Sequence, residues 1–324
     1  MACAKCDEPA VMHAAYAGTH LCASHFRAFV ERRVRQRVRA DGLLGPDATP
    51  EDPETWVLGL SGGKDSAALV QILHETFDED PRVELVGLTI HEGIEGYRDE
   101  SLEAARALAD DLGVRHEVVT YDDEFGVQMD DVAESDPLGM APCAYCGVFR
   151  RSALARHAER LGADKLLTGH NLDDEAETAL MNLLEGDVFQ MASHYDASLG
   201  PFPGAPDDGP PPRAPSGLLP RAKPLRDVPE KEVALYARLR DLPAHIVECP
   251  HAGESFRGEL QDLLLDLEES HPGTRHSILS GYEELAALAA ERYREPGVEA
   301  GHCGQCGAPA SGDVCRACEL LEAL

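Results

Sequence analysis

A chain of 324 residues with 43% hydrophobic content can bury one large core or two ordinary ones, which excludes wholesale disorder. No 18-residue apolar run occurs and the opening MACAKC lacks a signal-peptide pattern, so a soluble cytoplasmic protein with no membrane span is expected. Acidic residues outnumber basic ones 59 to 29, a net charge of -30 that on its face argues against nucleic acid as a partner.

The basic residues are skewed, since only five are Lys (Lys5, Lys64, Lys165, Lys223 and Lys231) and the rest are Arg. An acidic, Lys-poor surface is the habit of halophile proteins, so the total charge reads as a signal of habitat and says little about the partner.

The first 40 residues predict a zinc module followed by a helix. Cys3-x2-Cys6 and Cys22-x2-His25 supply four ligands with the spacing of a closed tetrahedral site, and His20 and His13 are the alternatives to His25. In a chain expected to be cytoplasmic, such pairs point to metal rather than disulfides. The helix at 23–40 carries Arg27, Arg32, Arg33, Arg35, Arg37 and Arg39, a local basic block read as a binder of nucleic-acid phosphates. A Gly/Pro/Asp-rich linker at 41–53 follows.

The core, 54–295, alternates strand and helix. Strand-like runs lie at 56–60, 83–90, 117–121 and 165–168, and helical patterns at 64–77, 99–113, 147–161 and 173–186. This alternation predicts an α/β fold with a parallel sheet, whose ligands sit at the carboxyl ends of the strands. Ser61-Gly62-Gly63-Lys64-Asp65-Ser66 follows the first strand and opens a helix, so glycine backbone and free N–H groups can cradle a phosphate. It is not a Walker A loop, because Leu58 and Asp65 stand where that motif needs Gly and Ser or Thr.

Downstream, Cys143-x2-Cys146 and the lone Cys249 give three thiolates, which leave a position open on a catalytic metal or an iron–sulfur cluster. A redox pair, or a zinc site completed by His251, are the alternatives. Residues 199–217 are too rich in Pro and Gly for regular structure and read as an insertion. A strand near 218–224 and helices near 229–241, 255–269 and 273–291 close the core. Cys303, Cys306, Cys315 and Cys318 then form a second four-ligand zinc module at 300–324.

The SGGKDS loop resembles that of the N-type ATP pyrophosphatases, the PP-loop or adenine nucleotide alpha-hydrolase-like superfamily. A second signature of that superfamily, Gly169-His170-Asn171-Leu172-Asp173-Asp174-Glu175, stands at the end of the fourth strand. The Cys-x2-Cys-Gly followed by Arg150 and Arg151, the later Glu248-Cys249-Pro250 and zinc modules at both ends are together similar to the tRNA 2-thiouridine synthetases. The likeness spans nearly the whole chain. Arg150 stands where some relatives have Lys.

The resemblance implies ATP on Leu60 and Ser61–Ser66 (Gly62, Gly63, Lys64 and Asp65 included), on Gly169, Asn171 and Asp174, and His91 against adenine. It implies Mg2+ near Asp65 or Asp174, and a [4Fe–4S] cluster on Cys143, Cys146 and Cys249. A tRNA uridine would be adenylated at its C2 oxygen and then receive sulfur, the wobble uridine being favoured over the T-loop one. Asp174, with Asp173 second to it, and Arg150 are the candidate catalytic groups beside Cys143 and Cys249. A persulfide on Cys143 or Cys249 is the alternative to the cluster. A ubiquitin-like sulfur carrier and a second copy of the chain are the implied protein partners. The rival readings are another PP-loop adenylating enzyme, such as a lysidine or amide-forming synthetase, and a noncatalytic zinc-bearing RNA-binding or sulfur-relay scaffold.

Overall fold

The computed structural model describes residues 1–136, 138–188, 190–192, 219–251, 256–293, 301–310 and 312–324. The Pro-rich stretch at 199–217 lies outside them. In chain order, β1 (Met12–Ala14) and β2 (Thr19–Leu21) form an antiparallel hairpin, and α1 (Ala23–Ala40) follows. The centre is a five-stranded, all-parallel sheet built from β3 (Glu54–Gly59), β4 (Val83–His91), β5 (Arg115–Thr120), β6 (Lys165–Leu167) and β7 (Arg221–Ala222), in the order β5-β4-β3-β6-β7. The order reverses around β3, so the crevice at its carboxyl end is where such sheets bind ligands.

Alternation along the strands sorts the core into two layers. Trp56, Leu58 and Leu60 face one side, with α2 (Lys64–Phe77), α3 (Arg98–Leu112) and α1. Val57, Val86, Leu88 and Ile90 face the other, with α4 (Tyr121–Phe125), α5 (Met129–Ser135) and α6 (Pro142–Arg160). Phe26, Val30, Val34 and Val38 repeat every four residues and bury one stripe of α1, each side chain contributing about 1.5–3 kcal/mol. That stripe packs on α8 (Glu230–Leu239), which also lies along α2. In the segment read as a linker, Asp41 and Leu43 are buried against α1 and the core, while 46, 47 and 49–53 are exposed.

α7 (Leu172–Glu185) leaves the end of β6 and is flanked by α9 (Phe256–Ser270) and α10 (Thr274–Tyr293). The last segment forms β8 (Gly301–His302), β9 (Pro309–Ala310) and α11 (Arg316–Ala323); Ala317 and Leu320 of α11 join the core layer of α6. The two terminal cysteine modules therefore sit on opposite faces of the sheet. α6 begins at Pro142 rather than 147, which puts Cys143 and Cys146 in its first turns. Among the described residues no helix is long and apolar enough to cross a membrane.

Candidate active site

Residues 61–66 turn from β3 into α2, with Gly63 as the N-cap. Gly62 has φ +80°, and a Cβ there would stand 1.8 Å from the Ser101 carbonyl oxygen, so only glycine lets the loop lie against α3. Ser66 Oγ donates to Gly63 O at 2.9 Å and accepts from Ser61 N at 3.1 Å, which fixes the loop's curvature. The second signature lies against it backbone to backbone, since a Cβ on Gly169 would meet the Asp65 carbonyl carbon at 2.9 Å. Asn171 caps α7, accepting from Asp173 N and Asp174 N, and its Nδ2 donates to Asp65 Oδ1 at 3.1 Å.

Between the loops lies a cavity of about 330 Å³. Its polar end is formed by Ser61, Asp65, Ser66 and Asp174, and its apolar wall by Leu88, Ile90 and Leu154, a fit for a triphosphate and a planar base. Leu60, Gly169 and Arg150 also line it. Burial drives the Asp174 carboxyl up to about 7; the Asn171 N–H works against that rise and the charge of Asp65 adds to it. A divalent cation between Asp65 and Asp174 would relieve that repulsion, so the donor set fits Mg2+.

Several expected nucleotide ligands stand elsewhere. His91 Nε2 pairs with Asp99 at 3.1 Å and its Nδ1 accepts from Gly93 N, and the side chain does not line the cavity. Lys64 bridges Asp65 at 2.9 Å and Glu230 at 2.7 Å, and Gly62, Gly63 and Asn171 shape the loops around the cavity. Asp173 accepts from Glu230 N at 2.8 Å and pairs with Arg275 at 3.1 Å, so it braces α7 against α8 and α10.

The three internal cysteines gather beside the cavity. Arg150, one turn beyond Cys146 on α6, donates from Nη2 to Cys146 Sγ at 3.2 Å while it lines the cavity. Cys143 is exposed, and its Sγ meets the His251 carbonyl oxygen at 3.6 Å. Burial raises the thiols of Cys146 and Cys249, and the neighbouring Cys143 raises Cys249 further. The His251 ring pairs through Nε2 with Asp130 at 2.6 Å.

Among the described residues, only the two terminal groups bring three or more candidate ligand atoms within 4.8 Å of one another. Wider spacing at 143, 146 and 249 suits a cluster, whose ligands sit on separate irons, better than one ion. The sequence reading missed Glu92 and Arg98, which hold Arg150 and Ser61, and also Thr168 and His170 in the cavity wall. His170 lay in the motif already quoted, but Glu92 and Arg98 had no spacing signal.

At the N-terminus, Cys3, Cys6, Cys22 and His25 converge, with His25 Nδ1 3.2–3.5 Å from the three sulfurs. His13 and His20 stack on each other in the hairpin, with ring centroids 4.0 Å apart. At the C-terminus, Cys303, Cys306, Cys315 and Cys318 converge in the same way. Cys22 and Cys315 are the N-caps of α1 and α11, so each module is fastened to a helix start. The Ser24 hydroxyl and the His25 backbone hold the Cys22 thiol down at about 6, and backbone N–H bonds at Cys315 and Cys306 do the same for Cys303, at about 6. Both sets fit a closed four-ligand zinc site.

The arginine helix divides in two. Arg37 grips Asp227 through Nε at 2.8 Å and Nη2 at 3.0 Å, and Asp41 through Nη1 at 3.1 Å. Arg33 pairs with Glu232 at 3.0 Å and reaches Asp227 O and Tyr16. These two lock α1 to the core, because they flank the buried valine stripe. Arg35 pairs loosely with Glu31 at 3.9 Å. Arg32 and Arg39 are exposed and Arg27 is half-buried; none of the three pairs with an acid among the described residues.

Comparison with known proteins shows the family. The family model described as the PP-loop domain matches residues 30–242. A second, described as the N-terminal LIM domain of the 2-thiouridine synthetase TtuA, matches residues 3–27. The tRNA 2-thiolation protein NcsA of Haloferax volcanii is 64% identical over 325 residues, covering 100% of this chain and 99% of that protein. Cytoplasmic tRNA 2-thiolation protein 1 of Bos taurus is 40% identical over 332 residues, covering 99% and 87%. A solved structure, described as the U34-tRNA thiolase NcsA from Methanococcus maripaludis with its [4Fe-4S] cluster, superposes with a TM-score of 0.80 at 33% identity, covering 100% of this chain and 96% of that one. With the PP-loop, the internal cysteines and both terminal modules in place, the chain belongs to the PP-loop family, in its branch of tRNA 2-thiolation proteins.

Proposed function

We propose that the protein is a cytoplasmic tRNA uridine 2-sulfurtransferase that adenylates the C2 oxygen of a tRNA uridine with ATP and then replaces that oxygen with sulfur. The observation that carries this reading is Arg150, which lines the nucleotide cavity and bonds Cys146 at 3.2 Å, so that phosphate and sulfur chemistry meet at one side chain. Neither an amide-forming synthetase nor a scaffold has use for that junction.

ATP lies with its phosphates against Ser61, Ser66 and the N-terminus of α2, and its base against Leu88, Ile90 and Leu154. Asp65 and Asp174 would hold Mg2+, which would neutralise phosphate charge. The uridine O2 bonds the α-phosphorus as the bridging P–O bond breaks and pyrophosphate leaves. Arg150 offsets the charge that develops on the transferring phosphoryl group. The N3 proton passes to solvent in that adenylation; hydrosulfide then attacks C2, the C2–O bond breaks, AMP departs, and the proton carried in on sulfur ends on N3.

Cys143, Cys146 and Cys249 would hold a [4Fe–4S] cluster, which would supply a Lewis-acidic iron for the sulfur step without net redox change. The exposure of Cys143 leaves that side open to a donor, a ubiquitin-like carrier or free sulfide. The target is the wobble uridine, as in the relative described as a U34-tRNA thiolase. The exposed Arg32 and Arg39, with Arg27, contact tRNA phosphates, two zinc ions hold the terminal modules, and the chain works as a homodimer.

The adenylation step is tested by ATP–pyrophosphate exchange. Exchange that requires tRNA with an unmodified wobble uridine, and is abolished by Asp65→Asn, supports it; exchange with no tRNA dependence would overturn it. Full sulfur transfer by iron-free protein would overturn the cluster.

A further inference from the structure

The nucleotide cavity and the cysteine set are joined through one carboxylate that the chemistry above does not use. Glu92 follows β4 directly and is 0% exposed. Its Oε1 accepts from Arg150 Nε at 2.8 Å, and its Oε2 is ion-paired with Arg98. Arg98, also buried, donates from Nη1 to Ser61 O and Ser101 Oγ, each at 3.0 Å, and from Nη2 to Ile90 O at 2.7 Å. Arg150 reaches on to Cys146 Sγ with a second N–H of the same rigid guanidinium. A continuous path therefore runs from the phosphate loop through Arg98, Glu92 and Arg150 to a cysteine sulfur.

A buried ion pair is poor evidence of a stability role, because apolar replacements serve as well or better. What the carboxylate does supply is aim. The Arg150 side chain is 48% exposed and would otherwise sample many rotamers in solvent. Hydrogen bonds from Nε and Nη2 of one planar fork, to Glu92 and to Cys146, fix both its position and its plane.

We propose that Glu92 is a positioning residue: it holds the Arg150 guanidinium between the nucleotide cavity and Cys146 and, through Arg98, registers that guanidinium against Ser61. The thiolation reading supplies only the reaction affected, whereas the placement of Arg150 against ATP does not depend on it.

The test is a double-mutant cycle of Glu92→Gln, Arg150→Ala and the pair, in the full chain. In cluster-free protein, calorimetric titration with ATP should show Kd raised about five- to tenfold by either change and no further by both. In anaerobically loaded protein, iron content should stay at the wild-type level, and the EPR spectrum of the reduced cluster should change in the same way for both single variants. Sulfur transfer should fall at least about 100-fold in kcat for each, again without multiplying in the pair. Glu92→Asp keeps the charge but cannot span both arginines, and should give intermediate values; it serves if Glu92→Gln does not fold. Multiplying effects on Kd, or a wild-type EPR spectrum in both Glu92 variants beside an altered one in Arg150→Ala, overturns the proposal. ATP titration still reads out if thiolation itself fails, so the two failures are separable.

Discussion

Replacing Arg37 with Ala removes three charged hydrogen bonds at once, two to Asp227 and one to Asp41. Asp41 is 2% exposed and loses its partner, while Asp227, a third exposed, can recruit water. Breaking a fully buried pair costs about 3–5 kcal/mol; partial exposure at Asp227 sets the expectation at about 3 kcal/mol near pH 8. In a chain of this size that corresponds to a fall in Tm of roughly 4–8 °C. Burial already raises the Asp41 carboxyl to about 6 although Arg37 pulls it down, and without Arg37 it rises further. A raised folded-state pKa means that the group's stabilising share is full below the unfolded value and is lost as pH rises through the folded one. The damage in Arg37→Ala should therefore grow between pH 5 and pH 8, by about 1 kcal/mol. Scanning calorimetry of the zinc-loaded protein at fixed potassium chloride measures this, with the exposed Arg32→Ala as control, expected within about 0.5 kcal/mol of wild type. A Tm loss under 2 °C, or damage that shrinks with rising pH, refutes the view that Arg37 is an internal tie.

The pair Arg32→Ala and Arg39→Ala should leave Tm unchanged, weaken tRNA binding and reduce the slope of log affinity against log salt by about 2 in filter binding; an unchanged slope removes the helix from the tRNA surface. Gly62→Ala forces a left-handed backbone on a residue with a side chain, at about 1–2 kcal/mol, and drives its Cβ into Ser101 O, so ATP affinity should fall at least tenfold by calorimetry. With the Asp174 carboxyl at about 7, protonation below that pH removes a cation ligand; Mg-ATP affinity should drop by up to about tenfold per pH unit from 7 to 5.5, and Asp174→Asn should flatten the profile. A flat wild-type profile contradicts that placement of the cation.

Local signals carried much of this architecture. The helix read at 64–77 is observed as Lys64–Phe77, because its apolar run is bounded by the glycine loop before it. The start of α6 is marked by Pro142, a residue suited to the first turn of a helix. Both terminal metal groups followed from four cysteines or histidines at matched spacing. The division of the arginine helix was half visible: Arg33 and Arg37 each precede a valine of the buried stripe and Asp41 is four residues beyond Arg37, but Asp227 and Glu232 lie about 190–200 residues away.

Asp173 and Asp174 are adjacent in the motif, and only the capping geometry aims Asp174 into the cavity while Glu230 and Arg275 claim Asp173. Glu92 was invisible for the same reason. It looks like one more acid in an acidic chain until the fold brings Arg98 and Arg150 to it. The negative total charge likewise hid a small set of exposed arginines, and position rather than sum identified them.

The central claim is that one site joins ATP activation of a tRNA uridine to sulfur delivery. The most direct measurement incubates the anaerobically reconstituted full chain with unmodified tRNA, ATP, Mg2+ and sulfide, then digests the tRNA and quantifies its nucleosides by mass spectrometry. The expected result is 2-thiouridine at the wobble position, dependent on ATP and lost in Cys249→Ala. Sulfur incorporation that proceeds without ATP, or tRNA left unmodified by cluster-loaded protein, contradicts it.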